Sequence, residues 1–209
     1  MTRRVVITGL GPVSGLGLGI EPNWAGAVEG RSAIGKIDVF NPEGFDCQIA
    51  AQVRDFSVRD FVPKSYRKAT KVMAADIELA VAAAMLAARD AGLRTAGTDP
   101  EMAGKPEFKP TYEPARVGCH IGAALIAADI NELTGALYES RAADGTFDYH
   151  HWGRESMNNL TPLWLLKFLP NMLACHVTII HDAQGPSNTI TCYEASAMLS
   201  IGGSLRVIQ

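Results

Sequence analysis

The sequence predicts an α/β protein in which short apolar strands alternate with helices. Residues 4–8 form a short apolar run, and residues 67–93 are rich in alanine with regularly spaced aliphatic side chains. Near the end of the chain, Thr189, Ile190 and Thr191 are β-branched, which suits a packed strand. Residues 195–204 then carry no charge, and a helix that is apolar on all sides belongs inside a protein. We therefore expect strands covered by helices, with the last helix buried.

Composition indicates one globular domain and excludes several functional classes. The chain has 209 residues, of which 47% are hydrophobic and 20% charged. A net charge of −3 does not favour nucleic acid, and no apolar run reaches the roughly 18 residues that predict a membrane span. The cysteines are scattered without a ligand pair, so we expect reduced thiols in a cytoplasmic protein and neither a metal nor a cofactor. They are Cys47, Cys119, Cys175 and Cys192.

The first elements are a strand, a glycine-rich turn and a helix. We expect residues 4–8 to form a central, buried strand that leads into glycine-rich residues 9–17. These glycines have the spacing GxGxxxG with Pro12 inside it, and no acidic residue closes a second strand, so a dinucleotide site is not indicated. Residues 20–29 predict a short amphipathic helix with Trp24 on its apolar side.

The middle of the chain predicts one long helix and one long loop. Residues 30–36 fit GxxxxGK, but no strand precedes them and Ile37 replaces the hydroxyl residue that a phosphate loop needs. A short strand is expected at residues 48–53, and a helix at residues 67–93 that stops near Gly92. Residues 95–114 predict a surface loop, residues 116–121 a strand, and residues 129–148 a polar helix and loop.

The most informative stretch is residues 185–203, which predicts a strand, a sharp turn and a helix. The ionisable residue at the strand-to-helix junction is Glu194. A helix N-terminus has unpaired N–H groups and a partial positive charge, so it can hold an anion or activate a nucleophile. We expect residue 194 to be shielded from bulk solvent, with an inner helix that begins after it.

Several segments resemble the N-terminal part of β-ketoacyl-acyl-carrier-protein synthases, the condensing enzymes of the thiolase superfamily. The matching segments are VVITGLG at residues 5–11, DAGL at residues 90–93, LTP at residues 160–162, LPNM at residues 169–172 and the elbow itself. In that family a cysteine nucleophile follows the Gly-Pro by eight residues and precedes the Gly of an Ile-Gly pair by eight. Here Glu194 lies eight residues after Pro186 and eight before Gly202, so a glutamate occupies the position of the catalytic cysteine.

The resemblance implies a thiolase-like layered fold, with a mixed sheet covered by helices on both faces and a buried helix after the nucleophile elbow. Residues 1–209 would form a single, incomplete N-terminal domain, since the family's two further strands and its second half, with two histidines and a lysine, are not found. An aliphatic residue that lines the family's acyl pocket matches Leu125, for which core packing is the other interpretation. Cys192 lies two residues before the nucleophile position and is a second acyl-pocket candidate.

The glutamate changes the chemistry that the resemblance implies. A carboxylate is a much weaker nucleophile towards a thioester than a thiolate, so condensation by this chain alone is not expected. The helix N-terminus favours the ionised carboxylate and apolar burial favours the neutral acid, and the sequence leaves both open. Glu194 could also cap the helix without any chemical role.

Three functions remain open. The first is a β-ketoacyl-synthase-family protein of fatty-acid or polyketide synthesis that is impaired or accessory in catalysis. The second is a non-catalytic partner, like a chain-length factor, that binds acyl chains or carrier protein. The third is a dimerising structural remnant. By resemblance the partners are acyl carrier protein, acyl thioesters and either a second copy or an active synthase. We expect residues 188–192 to pair with their copy across a two-fold axis.

Overall fold

The computed structural model describes residues 3–124, 126 and 129–209, and helices alternate with short strands through them. The strands are β1 (Val13–Ser14), β2 (Gly17–Leu18), β3 (Ile34–Lys36), β4 (Ile49–Ala51), β5 (Cys119–Ala123) and β6 (Ser187–Thr191). The helices are α1 (Ile20–Val28), α2 (Ala75–Asp90), α3 (Ile130–Glu139), α4 (Tyr149–Arg154), α5 (Met172–His181) and α6 (Ser196–Ile208). The predicted α/β class is confirmed.

The centre of the fold is the parallel pair β5–β6, which is covered by helices on both faces. The register runs from Cys119 opposite Ser187 to Ala123 opposite Thr191. Helices α2 and α5 pack together on one face, where β5 contributes Ile121 to the core, and α6 packs on the other face. The carboxyl ends of both strands therefore lie at the same edge, which is the edge where the predicted elbow begins.

The hydrophobic core is built around α2. Its inward side chains Ile77, Val81 and Met85 are at most 1% exposed, and Val177 and Ile180 of α5 pack in the same cluster. Complete burial of a side chain of this size contributes roughly 1.5–3 kcal/mol relative to leaving it in water. These helices therefore fix the sheet face from which β5 leads towards the elbow.

Helix α2 is shorter than the alanine-rich pattern predicts. Residues 64–66 and 69–72 form 3-10 turns, and Met73 and Ala74 are extended, so the α-helix begins only at Ala75. It ends as predicted at Gly92, whose φ of 64° is in the left-handed region that favours glycine. The N–H of Leu93 closes this end by donating to the carbonyl of Ala88 at 2.9 Å.

A close backbone approach places the start of α6 on β5. A Cβ atom added at Gly122 would lie 2.4 Å from the carbonyl carbon and oxygen of Ser196 and 2.5 Å from the nitrogen of Ala197. Only glycine leaves room there, so the sequence of β5 sets where the last helix can begin.

Two expectations for the N-terminal third are wrong, namely the buried strand at residues 4–8 and the packing of Trp24. Residues 3–12 form no strand, because no described strand pairs with them, and Val6 and Ile7 are 60% and 77% exposed. The described strands form three two-stranded pairs, β5–β6 being parallel and the other two antiparallel. Helix α1 is present as predicted, but Trp24 is 70% exposed instead of packed.

Helix α6 is buried on one side only. Its small residues Ser196 and Ser200 lie against the strands and are 3% and 7% exposed, whereas Met198 and Ile201 are 71% and 58% exposed. The expected burial on all sides is therefore not met, because no described element covers the outer side of the helix. Among the described residues, no helix has both the length and the apolar character that a membrane crossing requires.

Candidate functional site

The predicted elbow is a tight turn between β6 and α6. Strand β6 ends at Thr191, residues Tyr193–Ala195 form a 3-10 turn, and α6 begins at Ser196. Tyr193 has a φ of 46°, in the left-handed region that non-glycine residues rarely adopt. Such a conformation costs a non-glycine residue about 1–2 kcal/mol and is found at functional turns when the surrounding structure holds it in place.

Ser196 holds the turn in this conformation. Its Oγ accepts a hydrogen bond from the backbone N–H of Cys192 at 2.7 Å and donates one to the carbonyl oxygen of Tyr193, also at 2.7 Å. The residue is buried against Gly122 of β5, so this hydroxyl links the end of the strand to the start of the helix. The sequence analysis missed this role; the available signal was a hydroxyl residue at the beginning of a helix.

Glu194 lies at the point of the turn but is exposed, contrary to expectation. Its carboxylate makes no hydrogen bond or ion pair with a described residue. The residue that caps α6 is Ala195, which makes no side-chain capping bond. The capping interpretation of Glu194 is therefore wrong, and its side chain is available to solvent or to a binding partner.

A small cavity lies beside the elbow. It has a volume of about 220 Å³ and is lined by Ala124, Pro170, Thr191 and Tyr193. Leu125, a predicted acyl-pocket residue, lies outside the described residues. Cys192 is an exposed, free cysteine at the end of β6. Both acyl-pocket assignments stay predictions.

The two histidines of α5 make their hydrogen bonds away from Glu194. His176 and His181 lie in α5 and are buried; Nδ1 of His176 hydrogen-bonds to the Tyr66 hydroxyl at 2.8 Å, and Nδ1 of His181 to Thr95 Oγ1 at 2.7 Å. Burial lowers the pKa of both histidines. The pKa of His181 falls to about 4, and the positive charge of Arg89 is a second cause for this residue only. Both histidines therefore fasten α5 to neighbouring loops rather than serve the elbow.

His120 is the unexpected polar residue of the sheet. It lies in β5 near Gly203 of α6, and both of its ring nitrogens are buried without a hydrogen-bond partner among the described residues. Sequence reasoning had no signal for this, since strand residues alternate between faces and both faces are covered by helices. No group of three or more metal-binding side chains occurs in the part of the chain that the structure describes.

Comparison with known proteins gives consistent matches over the whole chain. The profile of the family described as "Beta-ketoacyl synthase, N-terminal domain" matches residues 2–209. The chain is 27% identical over 207 residues to 3-oxoacyl-acyl-carrier-protein synthase 2 of Vibrio harveyi, covering 99% of this chain and 42% of that protein. It is 28% identical over 211 residues to "Actinorhodin polyketide putative beta-ketoacyl synthase 1" of Streptomyces coelicolor, covering 100% of this chain and 39% of that protein.

Structural comparison indicates the same fold. The solved structure "The ishigamide ketosynthase/chain length factor" superposes with a TM-score of 0.62 at 23% sequence identity, over 91% of this chain and 40% of that one. The predicted thiolase-like fold is thereby confirmed. The chain spans about two fifths of the length of the curated relatives that it matches.

Proposed function

Because the chain belongs to the β-ketoacyl synthase family, whose N-terminal domain profile matches residues 2–209, we propose that it serves fatty-acid or polyketide synthesis without carrying out condensation on its own. The observation that supports this proposal is the carboxylate of Glu194 at the turn between β6 and α6. The turn is tight, with Tyr193 in the left-handed region, and the position that follows it carries a carboxylate rather than a thiol.

A carboxylate at this position disfavours acyl transfer for two chemical reasons. It attacks a thioester much more slowly than a thiolate does, and the product would be a mixed anhydride, which is more reactive than the thioester that formed it. Decarboxylation of a malonyl group also needs donors that hold the developing negative charge. None of the chain's five histidines hydrogen-bonds to Glu194.

A second candidate function is a non-catalytic partner, similar to a chain-length factor, that binds an acyl chain or a carrier protein. The cavity of about 220 Å³ beside Tyr193 and Pro170 favours this function, because it provides space at the elbow without requiring a nucleophile. In this role an active synthase subunit would carry out the reaction, and this chain would only bind the acyl chain or the carrier protein.

A positively charged surface, to which we assign the proposed carrier protein, lies before α2. Four cations, Lys64, Arg67, Lys68 and Lys71, occur within eight residues that include no acidic side chain, in a chain of net charge −3. All four are exposed and form no ion pair with a described residue, and we call them the cationic patch. Tyr66 anchors this segment through its hydrogen bond to His176, so the charges are presented on a fixed surface.

The two-fold pairing of residues 188–192 remains part of the proposal. Strand β6 hydrogen-bonds to β5 along one edge, and no described strand pairs with its other edge. An open edge is a template for pairing with another strand. Size-exclusion chromatography with light scattering at micromolar concentration tests this directly, and a protein that is entirely monomeric would contradict it.

The catalytic proposal is tested with malonyl-carrier decarboxylation and condensation assays on the protein at its natural length. The wild type is compared with Glu194→Cys, Glu194→Gln and, as a matched control at the other elbow side chain, Cys192→Ala. We expect no condensation by the wild type or by Cys192→Ala. Condensation that appears in Glu194→Cys would indicate an intact but silenced site. If no variant reacts but carrier protein still binds, the partner function is favoured; condensation by the wild type would refute the proposal.

The cationic patch is tested by charge reversal. The double variant Lys68→Glu/Lys71→Glu is compared with Lys105→Glu/Lys109→Glu, which makes the same charge change in the loop of residues 95–114. We expect binding of a malonyl-carrier protein to weaken about tenfold or more in the first variant, with a smaller salt dependence, and to change little in the second. Equal weakening in both would show that only net charge matters.

A further inference from the structure

A second cavity lies at the end of the β5–β6 pair opposite to Glu194, beneath the loop of residues 95–114. Its volume is about 200 Å³. The residues that matter for its chemistry are Leu93, Phe108, Tyr112, Arg116, Val117 and His181. Most of the wall is apolar and includes two aromatic rings, and the polar groups are few, which is typical of a small-molecule site.

The loop that covers this cavity is tied in place by its own hydrogen bonds. The N–H of Arg94 donates to Thr111 Oγ1 at 2.8 Å, and the N–H of Thr111 donates to the carbonyl of Arg94 at 2.9 Å. The Arg94 guanidinium donates to Asp99 at 2.8 Å and lies 5.3 Å from the centre of the Phe108 ring. The walls are therefore formed in advance of any ligand, which reduces the entropic cost of binding.

His181 supplies a polar ring to this wall. The residue is 9% exposed, and its Nδ1 pairs with Thr95 Oγ1, which also accepts the N–H of Thr98 at 3.2 Å. If the Thr95 hydroxyl donates to Nδ1, the proton of the neutral ring lies on Nε2. His181 lines the cavity, and its Nε2 makes no hydrogen bond with a described residue.

Arg116 adds a positive charge at the edge of the same cavity. It is exposed, lies at the end of the 3-10 turn Pro114–Arg116, and forms no ion pair with a described residue. Asp182 also lines the cavity, but one of its carboxylate oxygens accepts a hydrogen bond from the Gln184 side chain at 2.8 Å. Because Arg94 is paired with Asp99, the cation of this lining that has no ion-pair partner among the described residues is Arg116.

We propose that this cavity is a binding site for a small aromatic carboxylate. The aromatic ring would contact Phe108 and Tyr112, and the carboxylate would accept hydrogen bonds from His181 Nε2 and the Arg116 guanidinium. An apolar cavity of about 150 Å³ is known to hold one benzene ring, so about 200 Å³ accommodates a ring with one carboxylate. This site does not depend on the chemistry proposed at Glu194.

The test is a fluorine NMR titration of the whole protein with 4-(trifluoromethyl)benzoate. A ligand of this size is expected to bind with a Kd of about 1 mM. Arg116→Ala should weaken binding about tenfold, and Arg116→Lys should restore part of it, since a charged partner strengthens a hydrogen bond. The control variant is Arg206→Ala, which removes an exposed arginine from α6 and should leave Kd unchanged. The neutral amide of the same ring should bind at least about tenfold more weakly than the acid.

Each alternative result overturns the proposal. The site does not exist if the acid fails to saturate by roughly 10 mM, ten times the expected Kd. Equal Kd values for the wild type and Arg116→Ala, or for the acid and its amide, would show that the carboxylate is not recognised there. An equal loss in Arg206→Ala would show that only the overall charge of the protein attracts the acid.

Discussion

The buried His181 makes a quantitative prediction about stability and pH. Its pKa is lowered from 6.5 to about 4 in the folded protein, mainly because burial disfavours the charged ring. The unfolded chain binds a proton as pH falls below about 6.5, whereas the folded protein does not until near pH 4. Well above pH 6.5 the titration of His181 therefore leaves the free energy of unfolding unchanged. On acidification it lowers the free energy of unfolding by about 2 kcal/mol at pH 5 and about 3 kcal/mol at pH 4.

Urea unfolding at a series of pH values from about 7 to 5 measures this loss, in a range where most carboxylates remain ionised. The variant His181→Gln removes the titrating ring, so its free energy of unfolding should fall by about 2 kcal/mol less than that of the wild type over this range. His150→Gln, at an exposed position of α4, is the matched control and should keep the wild-type slope. Equal slopes for the wild type and His181→Gln would refute the assignment of a buried, neutral His181.

Three further predictions concern the sheet and the elbow. Ser196→Ala should destabilise the protein by about 1–3 kcal/mol in urea unfolding, because it removes two hydrogen bonds and leaves the Cys192 N–H unpaired. The control is Ser65→Ala, at an exposed position. An equal loss of stability in both variants would contradict the role of Ser196. His120→Leu should stabilise the protein by about 1–3 kcal/mol, since it removes buried ring nitrogens that have no partner; a lower unfolding midpoint would show that these nitrogens are satisfied. Iodoacetamide at mildly alkaline pH should alkylate the exposed Cys192 at least about tenfold faster than Cys119, as measured by peptide mapping. The reason is that burial raises the pKa of the Cys119 thiol to about 11. Comparable rates would mean that β5 opens readily.

The elements that the sequence predicted well are those whose signal is local. The stop of α2 at Gly92 and the β-branched run of β6 depend on neighbouring residues only, and both occur as expected. The helix was predicted from residue 67, but residues 69–72 form a 3-10 turn and α2 begins at Ala75. The helix propensities of the residues do not distinguish an α-helical turn from a 3-10 turn.

Predictions of burial failed where the covering element is not local. Residues 4–8 and α6 are apolar enough to be interior, but burial requires partners from elsewhere, and no described segment covers residues 4–8 or the outer side of α6. The expectation that residue 194 is shielded from bulk solvent was wrong for the same reason. The family match over residues 2–209 rests on the sequence pattern, which the exposure of Glu194 does not change.

The candidate site was located by spacing but not described by it. Glu194 lies eight residues after Pro186 and eight residues before Gly202, and this spacing predicted that it lies at the turn, where the structure has it. The left-handed conformation of Tyr193 and the hydrogen bonds of Ser196 depend on the packing of Ser196 against Gly122. Such tertiary contacts cannot be inferred from one sequence.

The most direct test of the account is intact-protein mass spectrometry after incubation with an acyl thioester. If the elbow lacks a usable nucleophile, the wild type acquires no hydroxylamine-labile acyl group, and Glu194→Cys acquires one that maps to residue 194. An acyl group on wild-type protein, whether at Glu194 or at Cys192, would contradict the claim that a carboxylate has replaced the reactive thiol of this turn.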